Sequence, residues 1–397
     1  MERVEIQRGL AEFVGRAPGS DAERRAAVWL MTRLRASGRG AHLQTVWVRP
    51  RWALVHAIHA ALAITGTLLT AAVDPAVGLA VLALTVVSMI LDPLGIPLAR
   101  QLTPRRATQN VVSPVPPHGA DRPVRLVVCA SYDTGPGGLL LRSGPRRLSA
   151  ALERALGGHG PGPAGVLLGA VALLAVLSAA ELLGAGTWTR AVATVPAAVC
   201  VVAVFALLDL SPRAGDHGTD SGDHRTDDSA AALAVELTAA LDAVAPATLA
   251  VELVLLGAGH GPALGARAWV AAQVGAPRDR TIVVNLAGAH AGPPSWWIRE
   301  GVGLPLRLHP RLTRLTANAA SARPELGARP RASRWPSGAM ASRQAGFAAI
   351  TLGGPPPDLG GTDPAAADAL IDLALDLVDA IDDEVGRRAP ATDAGGR

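Results

Sequence analysis

The chain has 397 residues, a length that suits two average domains or one large domain with insertions. Hydrophobic residues make up 49% of it and charged residues only 18%, below the roughly 25% typical of soluble domains, which indicates that part of the chain lies in lipid. All 37 basic residues are Arg, the formal net charge is only +4, and many of these Arg residues flank apolar segments, so the composition argues against a nucleic-acid-binding protein.

The first soluble segment, residues 1–51, is predicted to hold a helix followed by a strand. Ser20 and Glu23 have the spacing of a capping box, and the amphipathic stretch that they open ends at Gly38. The residues of His42–Val48 alternate between apolar and polar, which is typical of a strand with one buried face.

Four apolar segments are each long enough to cross roughly 30 Å of hydrocarbon at about 1.5 Å per residue. They are Trp52–Ala72, Ala76–Leu98, Ala164–Leu183 and Val192–Leu208. The link within each pair is too short to hold a domain, so the pairs predict two transmembrane hairpins, over residues 52–98 and 164–210. Buried helices of a large soluble core are the alternative, against which the length and the paired arrangement of the four segments argue.

The placement of Arg predicts the side of the membrane on which the soluble part lies. The hairpin tips carry only Arg190, whereas the domain side of the spans is rich in Arg. Because two hairpins leave the whole soluble part on one side, the positive-inside rule predicts a multi-pass protein of the cell membrane with a cytoplasmic domain. The flanking residues are Arg49, Arg51, Arg100, Arg105, Arg106, Arg142, Arg146, Arg147 and Arg213.

Two histidines, His56 and His59, fall near the start of the first predicted span. Ionisable residues inside a membrane segment suggest a metal or proton site as one interpretation. Their position near the interface favours the other, in which they pack against neighbouring helices.

The remaining soluble segments, residues 99–163 and 211–388, are predicted to alternate between strands and helices, and residues 389–397 to form a disordered tail. The predicted strands are Asn110–Val115, Val124–Ala130, Thr248–Leu256, Thr281–Leu286 and Phe347–Leu352. The predicted helices are Asp228–Ala243, Leu264–Val274, Arg311–Ala320 and Asp363–Val385. This alternation predicts an α/β domain with a mostly parallel sheet flanked by helices. Sites in such sheets form at the carboxyl ends of strands, here just after Ala130, Leu256, Leu286 and Leu352.

Five stretches of this domain carry a family resemblance. In chain order they are VVCASYDTGPGG, TDDSAAALAVELTAAL, VELVLLGAGHGPALGARAWV, VVNLAGAHAG and QAGFAAITLGG. They resemble the co-catalytic di-zinc aminopeptidases and carboxypeptidases of peptidase clan MH. That family carries, in order, a strand ending H-x-D, a helix start like D-D-x-x-S-G, a strand ending G-x-E-E, then N-L-D and a late His. The resemblance covers most of the chain outside the hairpins and implies a zinc-exopeptidase-like fold.

The positions of the family's metal ligands mostly hold other residues here. Asp227, followed by Asp228, matches the carboxylate that bridges the two zinc ions, and Asp133 matches the residue that orients the first zinc-binding His. The other positions hold Ser131 for the first His, Gly259 for the general base, His260 for the next ligand, Ala287 for the N-L-D carboxylate, and Ala339 or Met340 for the late His. By this alignment one ligand of five survives.

These replacements predict that the family's reaction cannot occur. Two zinc ions need the bridging carboxylate and further ligands for each ion, and hydrolysis needs a base that takes the proton from water. The resemblance therefore implies a membrane-anchored pseudo-peptidase without a cofactor, acting by binding or complex assembly. Its expected partners are the lipid bilayer and either other membrane proteins or a peptide ligand.

The alternative is a residual single-zinc, aminopeptidase-like hydrolase that uses Asp227 and His260. Upstream of Asp227 the Asp/His-rich repeat over residues 215–228 (GDHGTDSGDHRTDD) is either a metal-binding tract or, as we favour, a solvated acidic loop. His290, close to a strand end, is a further candidate ligand or else a packed side chain. No stretch matches a phosphate-binding loop. No serine-hydrolase elbow matches either, because Ser131 lacks the flanking glycines of G-x-S-x-G.

Overall fold

The computed structural model describes residues 3–93, 96–135, 162–210, 228–301, 305–354 and 363–388. Within these ranges the chain forms one mixed sheet flanked by helices, and a separate bundle of apolar helices. The predicted tail 389–397, the carboxylate of Asp227 and nearly all of the repeat 215–228 lie outside the described residues.

The sheet has the strand order β1-β2-β4-β3-β5-β9-β6-β7, and β8 pairs with β6. Its strands are β1 His42–Val48, β2 Arg106–Ser113, β3 Val124–Ser131, β4 Leu249–Leu256, β5 Thr281–Leu286, β6 Ser295–Glu300, β7 Leu306–Arg307, β8 Arg329–Ser333 and β9 Ala348–Gly353. The four central strands β4, β3, β5 and β9 run parallel to one another. Every residue of β4 and β5 is buried, as expected of strands covered on both faces.

The prediction of a mostly parallel sheet is wrong for the outer strands. β2 runs antiparallel to both β1 and β4, and β6 runs antiparallel to β9 and β7. The strands β6, β7 and β8 were not predicted from the sequence, because their short polar-rich stretches lack a clear period of two. Trp296 and Trp297 belong to β6, where Trp296 is buried in the core.

The helices of the described chain are α1 Arg3–Ala11, α2 Asp21–Ala36, α3 Trp52–Ala72, α4 Pro75–Leu91, α5 Pro163–Leu182, α6 Trp188–Asp209, α7 Asp228–Val244, α8 Leu264–Ala272, α9 Pro310–Ala322, α10 Gly338–Gln344 and α11 Pro364–Arg388. The helix predicted after Ser20 is confirmed as α2, since the Ser20 hydroxyl accepts a hydrogen bond from the Glu23 amide at 3.1 Å. β1 and β5 have the predicted bounds, whereas α1 and α10 were missed.

Helices α3, α4, α5 and α6 pack into a bundle with its own apolar core. Three of them are long and apolar enough to cross a membrane, and α4 is a shorter apolar helix of 17 residues. Polar contacts inside the bundle join Thr70 to Ser178 at 2.7 Å and His59 to Ser88 at 2.9 Å.

The predicted second span, Ala76–Leu98, is too long at its end. Helix α4 stops at Leu91, since Pro93 has no amide hydrogen to continue the helical hydrogen bonds. The carboxylate of Asp92 instead forms a buried ion pair with Arg100, which folds the following residues back onto the end of the bundle.

Candidate functional site

The carboxyl ends of the four parallel strands lie side by side at one edge of the sheet. Ser131 at the end of β3 is in register with Leu256 at the end of β4. On the other side of β3, Ala130 is in register with Leu286 of β5, which pairs with Leu352 of β9. The segments expected to carry chemistry therefore meet at one place.

The loop that follows β4 is fixed by side chains from three other elements. Asp133, Glu23 and Asn110 accept hydrogen bonds from four successive backbone amides of this loop. The amides are Gly257 N to Asn110 Oδ1 at 3.1 Å, Ala258 N to Glu23 Oε1 at 3.1 Å, Gly259 N to Asp133 Oδ1 at 2.9 Å and His260 N to Asp133 Oδ2 at 3.2 Å. Both oxygens of Asp133 are thus engaged by the main chain.

The same loop holds two alanines in the left-handed backbone region. Ala258 has φ 46° and Ala263 has φ 52°, a conformation that a residue with a Cβ rarely adopts. Such strain persists only where the surroundings over-determine the backbone. The hydrogen bond from Leu264 N to Ala258 O at 3.0 Å closes the loop and, with the carboxylate contacts, provides that constraint.

Ser131 lies so close to Gly259 that it leaves no room for a side chain at position 259. A Cβ atom built on Gly259 would lie 1.9 Å from Ser131 Oγ and 2.5 Å from Ser131 Cβ. No side chain fits at position 259 unless the end of β3 or the loop moves. The two departures from the zinc-peptidase pattern are therefore complementary, and the position aligned with the general base is closed.

His260 lies at the rim of this closed edge. Its side chain is 33% exposed, and its Nδ1 is 3.3 Å from Asp133 Oδ1. A Cβ atom at Gly135 would lie 3.3 Å from the imidazole Cδ2, so the ring packs over the backbone that follows β3. The carboxylate aligned with the residue that orients the family's first His here lies beside a His from the neighbouring loop.

The third and fourth strand ends are also filled tightly. Ala287 N donates to Leu352 O at 2.8 Å, and a Cβ atom at Gly353 would lie 2.8 Å from Ala287 Cβ. His290 is buried further along this loop, where Ala289 N donates to Ser229 Oγ at 3.1 Å. The start of α7 therefore lies next to His290.

The position aligned with the late His falls at the start of α10. Ala339 and Met340 are buried there. A Cβ atom at the preceding Gly338 would lie 2.7 Å from Asn285 Oδ1 and 3.0 Å from Cys129 Sγ. This position lies next to the same edge of the sheet but carries apolar side chains.

Of the two candidate metal ligands, only His260 is placed by the structure. Asp227 precedes the described part of α7, and Asp228 is described only as the first residue of that helix. The proximity of Asp227 to His260 therefore stays a prediction. In the described part of the chain, no group of three or more His, Cys, Asp or Glu side chains is placed to hold a metal ion.

Sequence reasoning missed two buried carboxylates near this edge. Burial raises the pKa of Glu23 to about 7, although its carboxylate also accepts hydrogen bonds from Thr108, Gly19 and Ala258. Burial likewise raises the pKa of Glu300 to about 7, and Ser337 and Thr351 donate to it. The capping-box spacing placed Glu23 at a helix start but gave no sign that it reaches the loop after β4.

The domain-side end of the helical bundle packs on this loop. Trp52, the first residue of α3, lies so close to Gly261 that a Cβ atom there would be 2.6 Å from the indole Cδ1, and its ring centroid is 5.5 Å from that of Trp335. Arg267 donates to Pro262 O and to Pro93 O, each at 3.1 Å. The bundle is thus joined directly to the loop that fills the candidate site.

Comparisons with known proteins give similarity of architecture only. No family model matches the chain, and no curated protein matches it. The solved structures that it resembles include glutaminyl cyclases and zinc-dependent exopeptidases. A glutaminyl cyclase from Tannerella forsythia aligns over 95% of this chain and 97% of its own, with 11% identity and a TM-score of 0.48.

Two further solved structures are similar at the same level. A Zn-dependent exopeptidase from Parabacteroides distasonis aligns over 95% of this chain and 96% of its own, with 11% identity and a TM-score of 0.48. The zinc aminopeptidase BSAP from Bacillus subtilis aligns over 95% and 94%, with 9% identity and a TM-score of 0.44. Similarity at this level says nothing about the chemistry of the site, which has to be argued from this chain's own residues.

The contact between Ser131 and Gly259 makes stability depend on both positions. We expect Gly259→Ala to destabilise the fold by about 1–3 kcal/mol, the usual cost of overpacking. Adding Ser131→Gly should recover part of this loss, because it removes the atoms that the new methyl group meets. Thermal or denaturant unfolding in detergent measures both effects. Gly40→Ala is the matched control, since a Cβ there has only an ordinary contact at 3.9 Å; equal losses at positions 40 and 259 would contradict the packing described.

The raised pKa of Glu23 predicts a specific loss of stability with rising pH. A carboxyl whose folded pKa lies near 7, above its usual 4.5, stabilises the fold fully below pH 4.5 and loses that contribution as pH rises through 7. At about 1.36 kcal/mol per pKa unit, the change is at most roughly 3 kcal/mol. Glu23→Gln should reduce the slope of the stability profile between pH 5 and pH 8, leaving the part that comes from Glu300, and should add a constant offset.

Unfolding midpoints measured across that pH range test the assignment to Glu23. Glu5→Gln, at a half-exposed position, is the control and should keep the wild-type slope. A wild-type slope in the Glu23→Gln protein would show that this carboxyl does not titrate in the range proposed.

Proposed function

We propose that this protein is a membrane-anchored, catalytically inactive relative of the zinc exopeptidases that acts by binding or complex assembly. The observation that carries the proposal is the closure of position 259 by Ser131. A peptidase of this type needs a base that takes the proton from water, and the aligned position has room for no side chain.

The other residues of the edge support the same proposal. A paired zinc centre needs several carboxylate or imidazole ligands around each ion. Ser131, Ala287 and Ala339 offer none at their positions, and the oxygens of Asp133 accept hydrogen bonds from the loop after β4. The described residues do not fit a di-zinc centre, and the edge serves to fix the loop.

Membrane anchoring rests on the helical bundle. Three of its helices are long and apolar enough to span a bilayer. Three apolar side chains of α6 are each more than half exposed: Val195, Val202 and Phe205. Lipid would cover this apolar face and remove it from water. With the Arg asymmetry of the hairpins, this supports a multi-pass protein whose domain lies in the cytoplasm. The partners proposed are the bilayer and other membrane proteins or a peptide ligand.

A single-zinc hydrolase is the second candidate, favoured by one observation. His260 is partly exposed at a strand end, and its Nδ1 lies 3.3 Å from the Asp133 carboxylate. A carboxylate that orients an imidazole in this way is common beside zinc ligands. Asp227 would have to supply a second ligand.

We expect no aminopeptidase activity from detergent-purified protein with added Zn²⁺. Loss of the general base alone costs about 10²–10⁴ in rate, and loss of ligands removes the ion that activates water. Hydrolysis of a panel of aminoacyl anilides measures this. Asp227→Ala and His260→Ala are the matched variants: turnover that both abolish would establish the single-zinc enzyme in place of the proposal, and turnover that neither changes would identify a contaminant.

The topology is tested with two reporter fusions. A fusion after Arg397 should be active only with a reporter that works in the cytoplasm, whereas an insertion at Gly186, in the tip of the second hairpin, should be active only with one that works outside. The expectation follows from the Arg bias. The reverse pattern would invert the orientation, and two fusions on the same side would exclude a membrane-spanning second hairpin.

A further inference from the structure

A group of large apolar side chains is exposed where the soluble domain meets the bundle. Trp47 at the end of β1 is 68% exposed, and Leu102 before β2 is 73% exposed. Ile96 and Leu98, between α4 and β2, are about half exposed. Exposed apolar groups of this size in one region commonly mark a contact with a partner or a membrane.

These residues lie together at the domain-side end of the first hairpin. Trp47 precedes α3 by a few residues, and residues 96–102 follow the end of α4. The guanidinium of Arg49 donates to Gln101 O at 2.7 Å and so ties the two stretches together. Across the sheet, Trp47 is in register with Ala107 of β2. The exposed apolar group is therefore continuous with the start of the bundle.

Charge in this region has one sign. Residues 42–52 and 96–110 contain five Arg and no Asp or Glu. Arg100 pairs with Asp92 and is buried. Among the described residues, Arg51 and Arg105 form no ion pair, and Arg105 is exposed. Guanidinium groups beside an aromatic ring and aliphatic side chains suit the phospholipid headgroup region, where phosphates lie next to the first methylene groups.

We propose that Trp47, Ile96, Leu98, Leu102, Arg51 and Arg105 form a junction patch that lies in the headgroup layer of the bilayer and binds the phosphates of anionic lipids. The proposal rests on the membrane anchoring proposed above. A protein partner is the less fitting occupant, because the patch continues directly into α3 and would share its depth in the membrane. Through this patch the β1–β2 side of the domain rests on the membrane surface.

The patch also fixes how the candidate site faces the membrane. Trp52, just beyond the patch, packs on Gly261 of the loop that follows β4. With the β1–β2 side seated in the headgroups, that loop lies close to the bilayer. A binding partner of the closed edge would then approach along the membrane surface.

Spin labels at three exposed apolar positions test the patch in full-length protein reconstituted into lipid nanodiscs. The variants are Leu102→Cys in the patch, Val202→Cys on the bundle and Val274→Cys, 92% exposed, on the soluble domain. Both native Cys side chains are buried, and labelling of the unmodified protein gives their background. The relative accessibility of each label to oxygen and to a water-soluble nickel complex reports its depth.

Oxygen should exceed the nickel complex at positions 202 and 102, less strongly at 102, and the order should reverse at 274. A label at 102 that is as accessible to nickel as the label at 274, with 202 in lipid, would overturn the patch and leave the anchoring intact. A water-accessible label at 202 would refute the anchoring itself, and the patch with it.

The lipid chemistry is tested with the same Leu102→Cys label. Nanodiscs of phosphatidylcholine alone are compared with an equal mixture of phosphatidylcholine and phosphatidylglycerol. The label should lie deeper in the mixture, and the Arg51→Gln/Arg105→Gln protein should lose that difference. An equal depth in both lipids would overturn the binding of anionic phosphates.

Discussion

The hydrogen bonds of the buried Asp133 carboxylate are the contact on which this edge of the sheet depends. A buried carboxylate is costly unless donors surround it, and here two successive amides of the loop after β4 supply them. To reach Asp133 the loop must approach the end of β3 so closely that Gly259 lies against Ser131. The same path turns Gly261 toward Trp52. The hydrogen bonds of Asp133 thus close the site and also set the surface on which the helical bundle packs.

The fold binds the bundle to the domain through backbone carbonyls as well as apolar packing. Arg267 of α8 and Gln344 of α10 both donate to Pro93 O, directly after the end of α4. Proline supplies no amide of its own, but its carbonyl is available because α4 has ended. Movement of the first hairpin relative to the domain would have to break these bonds and shift the loop that Trp52 covers. The first hairpin and the closed edge of the sheet are therefore expected to move together.

Local signals in the sequence predicted most elements of the fold. The apolar runs of β4 and β5 and the cap at Ser20 depend on neighbouring residues, and all were placed correctly. Strands β6, β7 and β8 were missed because they are recognisable only by their neighbours in the sheet.

Within the site, the resemblance indicated which of the zinc-peptidase ligand positions hold other residues here, but not how those residues fit together. The close approach of Gly259 to Ser131 is a contact between residues far apart in the chain. The hydrogen bond from the Ala258 amide to Glu23 is another. A capping-box Glu reads the same in sequence whether its carboxylate faces water or a buried amide. Tertiary packing decided these contacts.

The strand order has a consequence for synthesis of the chain. Both neighbours of β3 in the sheet, β4 and β5, follow it in the chain only after the second hairpin has been made. As the chain emerges, β3 is therefore an apolar strand without either of its sheet neighbours until helices α5 and α6 have been synthesised. The sheet therefore closes late, through pairings that are distant in sequence and slow to form. In the membrane-anchored protein that we propose, the hairpins would hold the unpaired strand at the bilayer surface until then, and insertion would precede folding of the domain.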